Sequence, residues 1–127
     1  MGTRTLVLDD SLVVVEQLTA LLRADGRFDV VGCARDGAEA LSMVAHEQPQ
    51  LVVLDMIMPN MDGIQALRAI RKMDASVVVV VLSTVGGAPE RAAEALRVGA
   101  AAVVSKPYDP QELINVLARA TEEGATA

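Results

Sequence analysis

Hydrophobic and polar positions divide this chain into two kinds of segment that alternate along its length. Short, almost unbroken apolar runs have the length of buried strands, and helical patterns with apolar residues three and four positions apart lie between them. The run from Val77 to Leu82 is typical of a strand buried on both faces, as in a parallel sheet. The predicted strands are Thr5–Leu8, Phe28–Cys33, Leu51–Leu54, Val77–Leu82 and Ala101–Ser105.

Start and stop signals delimit the predicted helices. Asp36 with Glu39, and Asp62 with Gln65, have the spacing of capping boxes at helix N-termini. The helices are placed from about Ser11 to Ala24 before Gly26, from Asp36 to before Pro49, from Asp62 onward, from Pro89 to Val98 before Gly99, and from Asp109 through Pro110 and Glu112.

The order strand–helix, repeated five times with short connections, predicts an α/β fold. Parallel strands joined by right-handed helical crossovers form a doubly wound sheet with helices on both faces. We expect one domain over residues 1–121. The remaining residues, 122–127, are small and polar, so they are predicted to be a flexible C-terminal tail.

Composition narrows the class of protein. With 52% hydrophobic and 22% charged residues the chain has enough apolar material for a core. A net charge of −6 argues against general binding to nucleic acid or anionic membranes. The longest apolar run is too short to span a membrane, no signal peptide is visible, and Cys33 has no second cysteine to pair with. We therefore expect a cytoplasmic protein.

Polar clusters follow four of the predicted strands. They are Asp9–Asp10, Asp55, Ser83 and Lys106–Pro107. Because ligands of open parallel sheets bind at the carboxyl ends of the strands, these side chains are expected to share one pocket. Three carboxylates repel one another, and one lysine cannot compensate for them, so Mg²⁺ with oxygen ligands is the natural complement. The set fits phosphoryl transfer to Asp55, with Lys106 and Ser83 contacting phosphoryl oxygens.

Several of these motifs together resemble the receiver domain of bacterial two-component response regulators. The matching segments are Leu8–Ser11, Leu54–Pro59 with Met61–Gly63, Leu82–Thr84 and Val104–Pro107. The resemblance implies a flavodoxin-like sheet with strand order 2-1-3-4-5. It also implies that Asp55 is the phosphoacceptor, that Ser83 is the switch hydroxyl, and that Lys106 contacts the phosphoryl group beside a cis bond to Pro107.

The resemblance further implies the metal ligands and the partners. Asp10, Asp55 and the backbone carbonyl of Ile57 would ligate Mg²⁺ directly, and Asp9 would act through a bound water. A sensor histidine kinase or a phosphotransfer protein would supply the phosphoryl group, and a downstream protein effector would receive the signal. Phosphorylation could also promote a homodimer. The domain would catalyse only its own phosphoryl transfer and dephosphorylation and would not otherwise be an enzyme.

Three positions depart from the common receiver pattern. Val103 stands where an aromatic rotamer switch is frequent, and Thr84 where a small residue often follows the switch hydroxyl. Ile57 is apolar where many members are polar, and an apolar side chain cannot orient an attacking water, so slow loss of the phosphoryl group is expected.

The helix from Pro89 to Val98 is short of large apolar residues, and we expect it, with the strand and helix that follow, to form the signalling face.

Alternatives remain open on the sequence alone. A Mg²⁺-dependent aspartyl-phosphate phosphohydrolase of the haloacid dehalogenase type usually has a second Asp where Ile57 stands. A flavin or nucleotide module needs a phosphate cradle after the first strand, where this chain has Asp9–Asp10–Ser11. The segments at 28–36 and 83–89 are somewhat similar to receivers attached to chemotaxis methylesterases. The chain could thus be a stand-alone regulator or a receiver from a larger output protein.

Overall fold

The computed structural model describes residues 2–58, 61–84 and 89–126, and within them strands and helices alternate as predicted. A short hairpin, β4–β5, is the one addition among these residues to the strand–helix repeat. In chain order the elements are β1 Thr3–Leu8, α1 Leu12–Asp25, β2 Phe28–Ala34, α2 Gly37–Glu47, β3 Leu51–Asp55, β4 Ile57–Met58, β5 Met61–Asp62, α3 Gly63–Met73, β6 Val78–Thr84, α4 Pro89–Val98, β7 Ala102–Lys106 and α5 Pro110–Thr126.

The main sheet has five parallel strands in the order β2-β1-β3-β6-β7. Counting only these five strands, the order is 2-1-3-4-5, which confirms the predicted doubly wound fold. The register keeps the carboxyl ends close together: Leu8 lies beside Leu54, Asp55 beside Leu82, and Thr84 beside Lys106. The residues that end four neighbouring strands therefore meet at one edge.

Alternate residues of each strand face two separate aliphatic cores, so the molecule has three layers. One core lies under α2, α3 and α4 and the other under α1 and α5. Leu6, Leu8, Val52 and Leu54 belong to the first core, and Val7, Leu51 and Val53 to the second. This two-sided burial explains why the strands read as continuous apolar runs rather than as alternating patterns.

Polar caps fix the points at which helices begin. The side chain of Asp62 accepts a hydrogen bond from Ile64 N and the Gln65 side chain bonds back to Asp62 N, which forms the predicted capping box. At α2 the structure records the Asp36 half of its box, a bond from Glu39 N at 2.9 Å. Gly26 ends α1 with a φ of 86°, a left-handed conformation that glycine adopts without steric cost.

Helix α5 includes most of the C-terminal segment, residues 122–127, that the sequence predicts to be a flexible tail. The helix continues to Thr126. Extending an existing helix adds one hydrogen bond per residue without a new nucleation cost, and Glu and Ala are good helix formers. The flexibility of this segment stays a prediction.

Two further observations bear on expectations from the sequence. Helix α4 buries only Ala95, so it does bury less than its neighbours, as its Ala-rich composition indicated. In the part of the chain that the structure describes, no helix combines the length and the apolar character that crossing a membrane requires.

Candidate functional site at the carboxyl edge of the sheet

The polar residues predicted to converge do meet at the carboxyl edge of β1, β3, β6 and β7. Lys106 Nζ lies 3.2 Å from Asp55 Oδ1 and 3.8 Å from Asp9 Oδ2. Ser83 follows directly after Leu82, the β6 residue in register with Asp55, and pairs in register with Ser105. Residues far apart in the sequence thus form one cluster because the strands that carry them are neighbours.

The three carboxylates of the cluster lie close enough to share a cation. Asp9, Asp10 and Asp55 each offer an oxygen, and these oxygens all lie within 4.8 Å of one another. Asp9 and Asp55 are buried, with 1% and 7% of their surfaces exposed, whereas Asp10 is exposed. The buried carboxylates of Asp9 and Asp55 thus form the inner part of the site, and the exposed Asp10 lies on the side that a ligand can reach from solvent.

The carboxylate of Asp9 is held in an unfavourable environment for its charge. Its Oδ1 accepts a hydrogen bond from Ser11 N at 2.9 Å, but Oδ2 is buried without a hydrogen-bond partner among the described residues. Burial raises the pKa of Asp9, and the negative charges of Asp55 and Asp10 add to this, while the Ser11 bond and Lys106 oppose it. A buried carboxylate oxygen that accepts no hydrogen bond costs stability, and the ammonium of Lys106 at 3.8 Å offsets part of this cost.

These features fit a hard divalent cation such as Mg²⁺. Such ions take carboxylate and carbonyl oxygens together with waters, and each of the three carboxylates offers an oxygen. Asp9 Oδ2 has no hydrogen-bond partner among the described residues, although it forms an ion pair with Lys106, so it is free to accept a ligand. The described part of the chain brings one ammonium, that of Lys106, within 4 Å of these carboxylates, so three ionised carboxylates would keep a net negative charge.

Two of the predicted residues, Ile57 and Thr84, are placed only in part. Ile57 lies in β4, where it pairs with Asp62 across the hairpin, and its carbonyl as a metal ligand stays a prediction. The side chain of Thr84 lies outside the described residues, so the choice between Ser83 and Thr84 as switch hydroxyl also stays a prediction. Val103 is partly buried and packs against the core under α2, α3 and α4.

Comparison with known proteins shows the family to which the chain belongs. The sequence pattern of the response regulator receiver domain matches residues 5–118, which include every predicted site residue. The chain belongs to the response regulator receiver domain family. It is also 32% identical to the chemotaxis protein CheY of Thermotoga maritima, over 92% of this chain and 96% of that protein.

Other relatives of this receiver domain are parts of larger proteins. It is 42% identical over 104 residues to protein-glutamate methylesterase/protein-glutamine glutaminase 5 of Myxococcus xanthus, which covers 82% of this chain. The chain spans about 30% of the length of that methylesterase. Among solved structures, the response regulator domain of Thermotoga maritima CheB superposes with a TM-score of 0.86 at 31% identity, over 96% of this chain and 98% of that domain.

One ion pair beside the site of this receiver domain was not foreseen from the sequence. Arg91 on α4 donates to Asp62 Oδ1, the same oxygen that caps α3 through Ile64 N at 2.8 Å. The Arg91 guanidinium lowers the pKa of the Asp62 carboxyl. The two residues are 29 positions apart, so their contact depends on how α3 packs on α4, which periodicity does not show.

We expect Arg91→Gln to lower the free energy of unfolding by at most about 1 kcal/mol at neutral pH, because both side chains are more than a third exposed. A lowered pKa means that this stabilisation is present above the ordinary Asp value of 3.8 and is lost as pH falls through the folded-state pKa. Urea unfolding at neutral and at acidic pH measures it, with Arg119→Gln as the exposed control. A difference that grows on acidification would contradict the assignment.

Gly63 follows the α3 cap because the backbone at Met56 leaves no space for a side chain. A Cβ at residue 63 would lie 2.5 Å from Met56 O and 2.7 Å from Met56 Cα. The Gly63 N–H also donates to Met56 O at 3.0 Å, so the two backbones are fastened together. This contact sets the position of the segment that directly follows Asp55.

We expect Gly63→Ala to destabilise the domain by about 1–2 kcal/mol, since the added methyl must displace backbone rather than a flexible side chain. Gly32→Ala is the matched control, because its Cβ would meet the flexible side chain of Met43 at 3.2 Å. Urea unfolding of both variants measures the difference. Equal stability of the two would show that the Met56 segment yields freely.

Tyr108 is a second residue near the site that the motifs did not single out. It follows the cis bond between Lys106 and Pro107 and packs against the core under α1 and α5. Burial raises the pKa of the Tyr108 hydroxyl, and the charge of Asp9 adds to this. Two features of the sequence point to Tyr108: it is the one tyrosine of the chain, and it lies two residues after Lys106.

Proposed function

We propose that Asp55 of this receiver domain accepts a phosphoryl group from a phosphohistidine and that phosphorylation changes a protein-binding surface. The observation that carries this proposal is the 3.2 Å contact between Lys106 Nζ and Asp55 Oδ1 within a cluster of carboxylates. A buried nucleophile beside a cation and metal-binding oxygens is the arrangement that phosphoryl transfer to carboxylate requires.

In the proposed reaction a carboxylate oxygen of Asp55 forms a bond to phosphorus as the bond from phosphorus to the donor breaks. The histidine nitrogen of a kinase or a phosphotransfer protein keeps the bonding electron pair. Because the other ring nitrogen of the phosphohistidine carries a proton, the ring departs as neutral imidazole. With acetyl phosphate as donor, acetate leaves instead. Lys106 stabilises negative charge on the transferring oxygens, and Ser83 donates its hydroxyl hydrogen to one of them.

The metal is assigned to the carboxylates on the same reasoning. Asp10, Asp55 and the Ile57 carbonyl would hold Mg²⁺, and Asp9 would act through a bound water. Bound there, the ion supplies neutralising charge to the phosphoryl oxygens. Asp10, which is exposed, would thus ligate the ion directly, and Asp9, which is buried, would hold it through the water.

The signalling surface is proposed to include α4, β7 and α5. Helix α4 buries one residue, so little apolar contact opposes its movement relative to the sheet. Receiver domains act with histidine kinases and effector domains, and a downstream protein effector is proposed here. A phosphorylation-dependent homodimer through the same surface is a further proposal. The relatives include a CheY that the match covers almost in full and a much longer methylesterase. The chain is accordingly proposed to act either as a stand-alone regulator or as the receiver of a larger protein.

Intact-mass measurement after incubation with acetyl phosphate and Mg²⁺ tests the proposal. We expect a gain of one phosphoryl group, located to Asp55 by peptide mapping, and no gain when EDTA removes the metal. An unchanged mass in the presence of Mg²⁺ would refute the assignment. A phosphoryl group that forms equally well with EDTA would refute the metal's part in it.

The phosphorylated domain is expected to lose its phosphoryl group slowly. The residue two positions after Asp55 is Ile57, which has no polar atom with which to orient an attacking water. The fraction phosphorylated, followed by mass after the donor is removed, measures the decay. Decay within seconds at room temperature would contradict this, and Ile57→Glu is expected to accelerate the loss.

The alternative of a phosphohydrolase acting on other substrates is not favoured. That chemistry needs a general acid near the phosphoaspartate, and the apolar Ile57 stands where the usual second Asp would be. The assignment to the receiver family agrees with this, because the receiver fold is not itself a turnover enzyme. Sustained release of phosphate from small phosphomonoesters would instead favour a phosphohydrolase.

A further inference from the structure

A groove between α3 and α4 gathers positive charge in a molecule that is otherwise acidic. It has a volume of about 530 Å³. Four of the chain's 11 Lys and Arg residues line it, against one of its 17 Asp and Glu residues. The lining residues are Arg68, Arg71, Lys72, Glu94, Arg97 and Val98. A chain of net charge −6 thus carries a local surface of opposite sign.

The cations of this groove, which we call the α3–α4 basic groove, are available to a ligand. Arg68, Lys72 and Arg97 form no ion pair with any carboxylate among the residues described in the structure, and the three are exposed. Unpaired cations that converge on one concave surface repel one another, so an anion placed between them is stabilised.

Arg71 is fixed within the groove by the fold. Its Nη1 donates to Ala75 O at 2.7 Å and to Val77 O at 2.6 Å. Its side chain also lies against Gly99, where an added Cβ would stand 2.9 Å from Arg71 Nε. The two hydrogen bonds both use Nη1 and leave the other guanidinium nitrogens to donate elsewhere. A guanidinium held in place with donors to spare loses little freedom when it binds a carboxylate.

Helix-end electrostatics explain only part of this arrangement. Arg71 and Lys72 lie in the last turn of α3, and Arg97 in the last turn of α4, where cations complement the helix dipole. Arg68 is outside the last turn, and the dipole gives no reason for residues of two helices to line one groove.

We propose that the α3–α4 basic groove binds an acidic segment of a partner polypeptide. Carboxylates match the bidentate geometry of Arg68, Arg71 and Arg97. The lining contains no aromatic side chain on which a base could stack, and its single apolar member is Val98, which disfavours nucleotides and nucleic acid. The groove lies at the C-terminal ends of α3 and α4, away from Asp55, so the proposal does not depend on phosphorylation.

Fluorescence anisotropy with a labelled peptide of alternating Glu and Ser tests the proposal on the unphosphorylated protein. The same peptide with Gln in place of Glu is the uncharged probe. We expect Arg68→Gln/Arg97→Gln to weaken binding of the acidic peptide about fivefold or more, as the loss of two exposed charge contacts allows. The matched control is Arg23→Gln/Arg119→Gln, which removes the same charge from α1 and α5 on the opposite face of the sheet.

A third variant predicts a gain in affinity, which damage to the fold would not produce. Glu94→Gln removes the carboxylate of the groove, so we expect the acidic peptide to bind about twofold more tightly or better. Equal weakening by both double variants would overturn the proposal, since it would indicate general charge attraction. Weaker binding by Glu94→Gln, or tighter binding of a thymidine oligonucleotide than of the acidic peptide, would also overturn it.

Discussion

The Asp55→Asn protein is expected to gain no phosphoryl group from acetyl phosphate and Mg²⁺ under conditions in which the native protein gains one. The amide oxygen of Asn is neutral and far less nucleophilic than a carboxylate oxygen. Asp55 is also the carboxylate that contacts Lys106 most closely, at 3.2 Å, so the substitution removes both the nucleophile and the negative charge that pairs with Lys106. Intact mass over a time course measures the loss.

The control for this experiment is Asp29→Asn, which makes the same chemical change at an exposed carboxylate on β2. It should be phosphorylated as the native protein is. Phosphorylation of the Asp55→Asn protein would mean that another carboxylate accepts the group, with Asp9 and Asp10 the nearest candidates. Urea unfolding tests whether a loss of phosphorylation comes instead from a folding defect. We expect Asp55→Asn to be no less stable, because relief of the repulsion with Asp9 offsets the lost ion pair with Lys106.

The convergence of the site could be foreseen because it follows from topology. Asp9, Asp55 and Lys106 follow strands whose apolar runs are unambiguous, and parallel strands share one carboxyl edge. The register then places Asp55 beside Leu82 and Lys106 beside Thr84 without any further information from the sequence. Site residues placed by strand patterns and topology can therefore be predicted from the sequence.

Contacts that depend on helix packing could not be foreseen in the same way. The pairing of Arg91 with Asp62 and the α3–α4 basic groove both depend on the orientation of α4 against α3. The β4–β5 hairpin has only two residues per strand, which is too short for a hydrophobic periodicity to be detected. The small polar residues 122–127 predict a flexible tail and do not show that α5 continues to Thr126, although Glu and Ala favour helix.

Asp9→Asn is expected to stabilise the metal-free protein while weakening its response to Mg²⁺. Relieving a buried carboxylate whose Oδ2 has no hydrogen-bond partner among the described residues is worth about 1–3 kcal/mol at neutral pH. The amide also keeps an oxygen that can accept the bond from Ser11 N. Urea unfolding in the presence of EDTA measures the gain, and Asp29→Asn, exposed to solvent, should show little change.

The pH dependence of that gain gives the sharper test. Because the folded-state pKa of Asp9 is raised, its carboxyl favours folding most below the ordinary value of 3.8, and stability is lost as pH rises through the folded-state pKa. The advantage of Asp9→Asn should therefore be small in acid and grow toward neutral pH. An advantage that does not change with pH would show that packing, not charge, is responsible.

Magnesium should reverse the order of the two proteins. A ligand that binds only the folded state stabilises it by about 2.7 kcal/mol when present at 100 times its dissociation constant. The native protein, with three carboxylates, should gain more from Mg²⁺ than Asp9→Asn, which has two, and should overtake it as the ion is raised at constant ionic strength. If both proteins respond equally, Asp9 has no part in holding the ion, and the cost of its buried charge has another explanation.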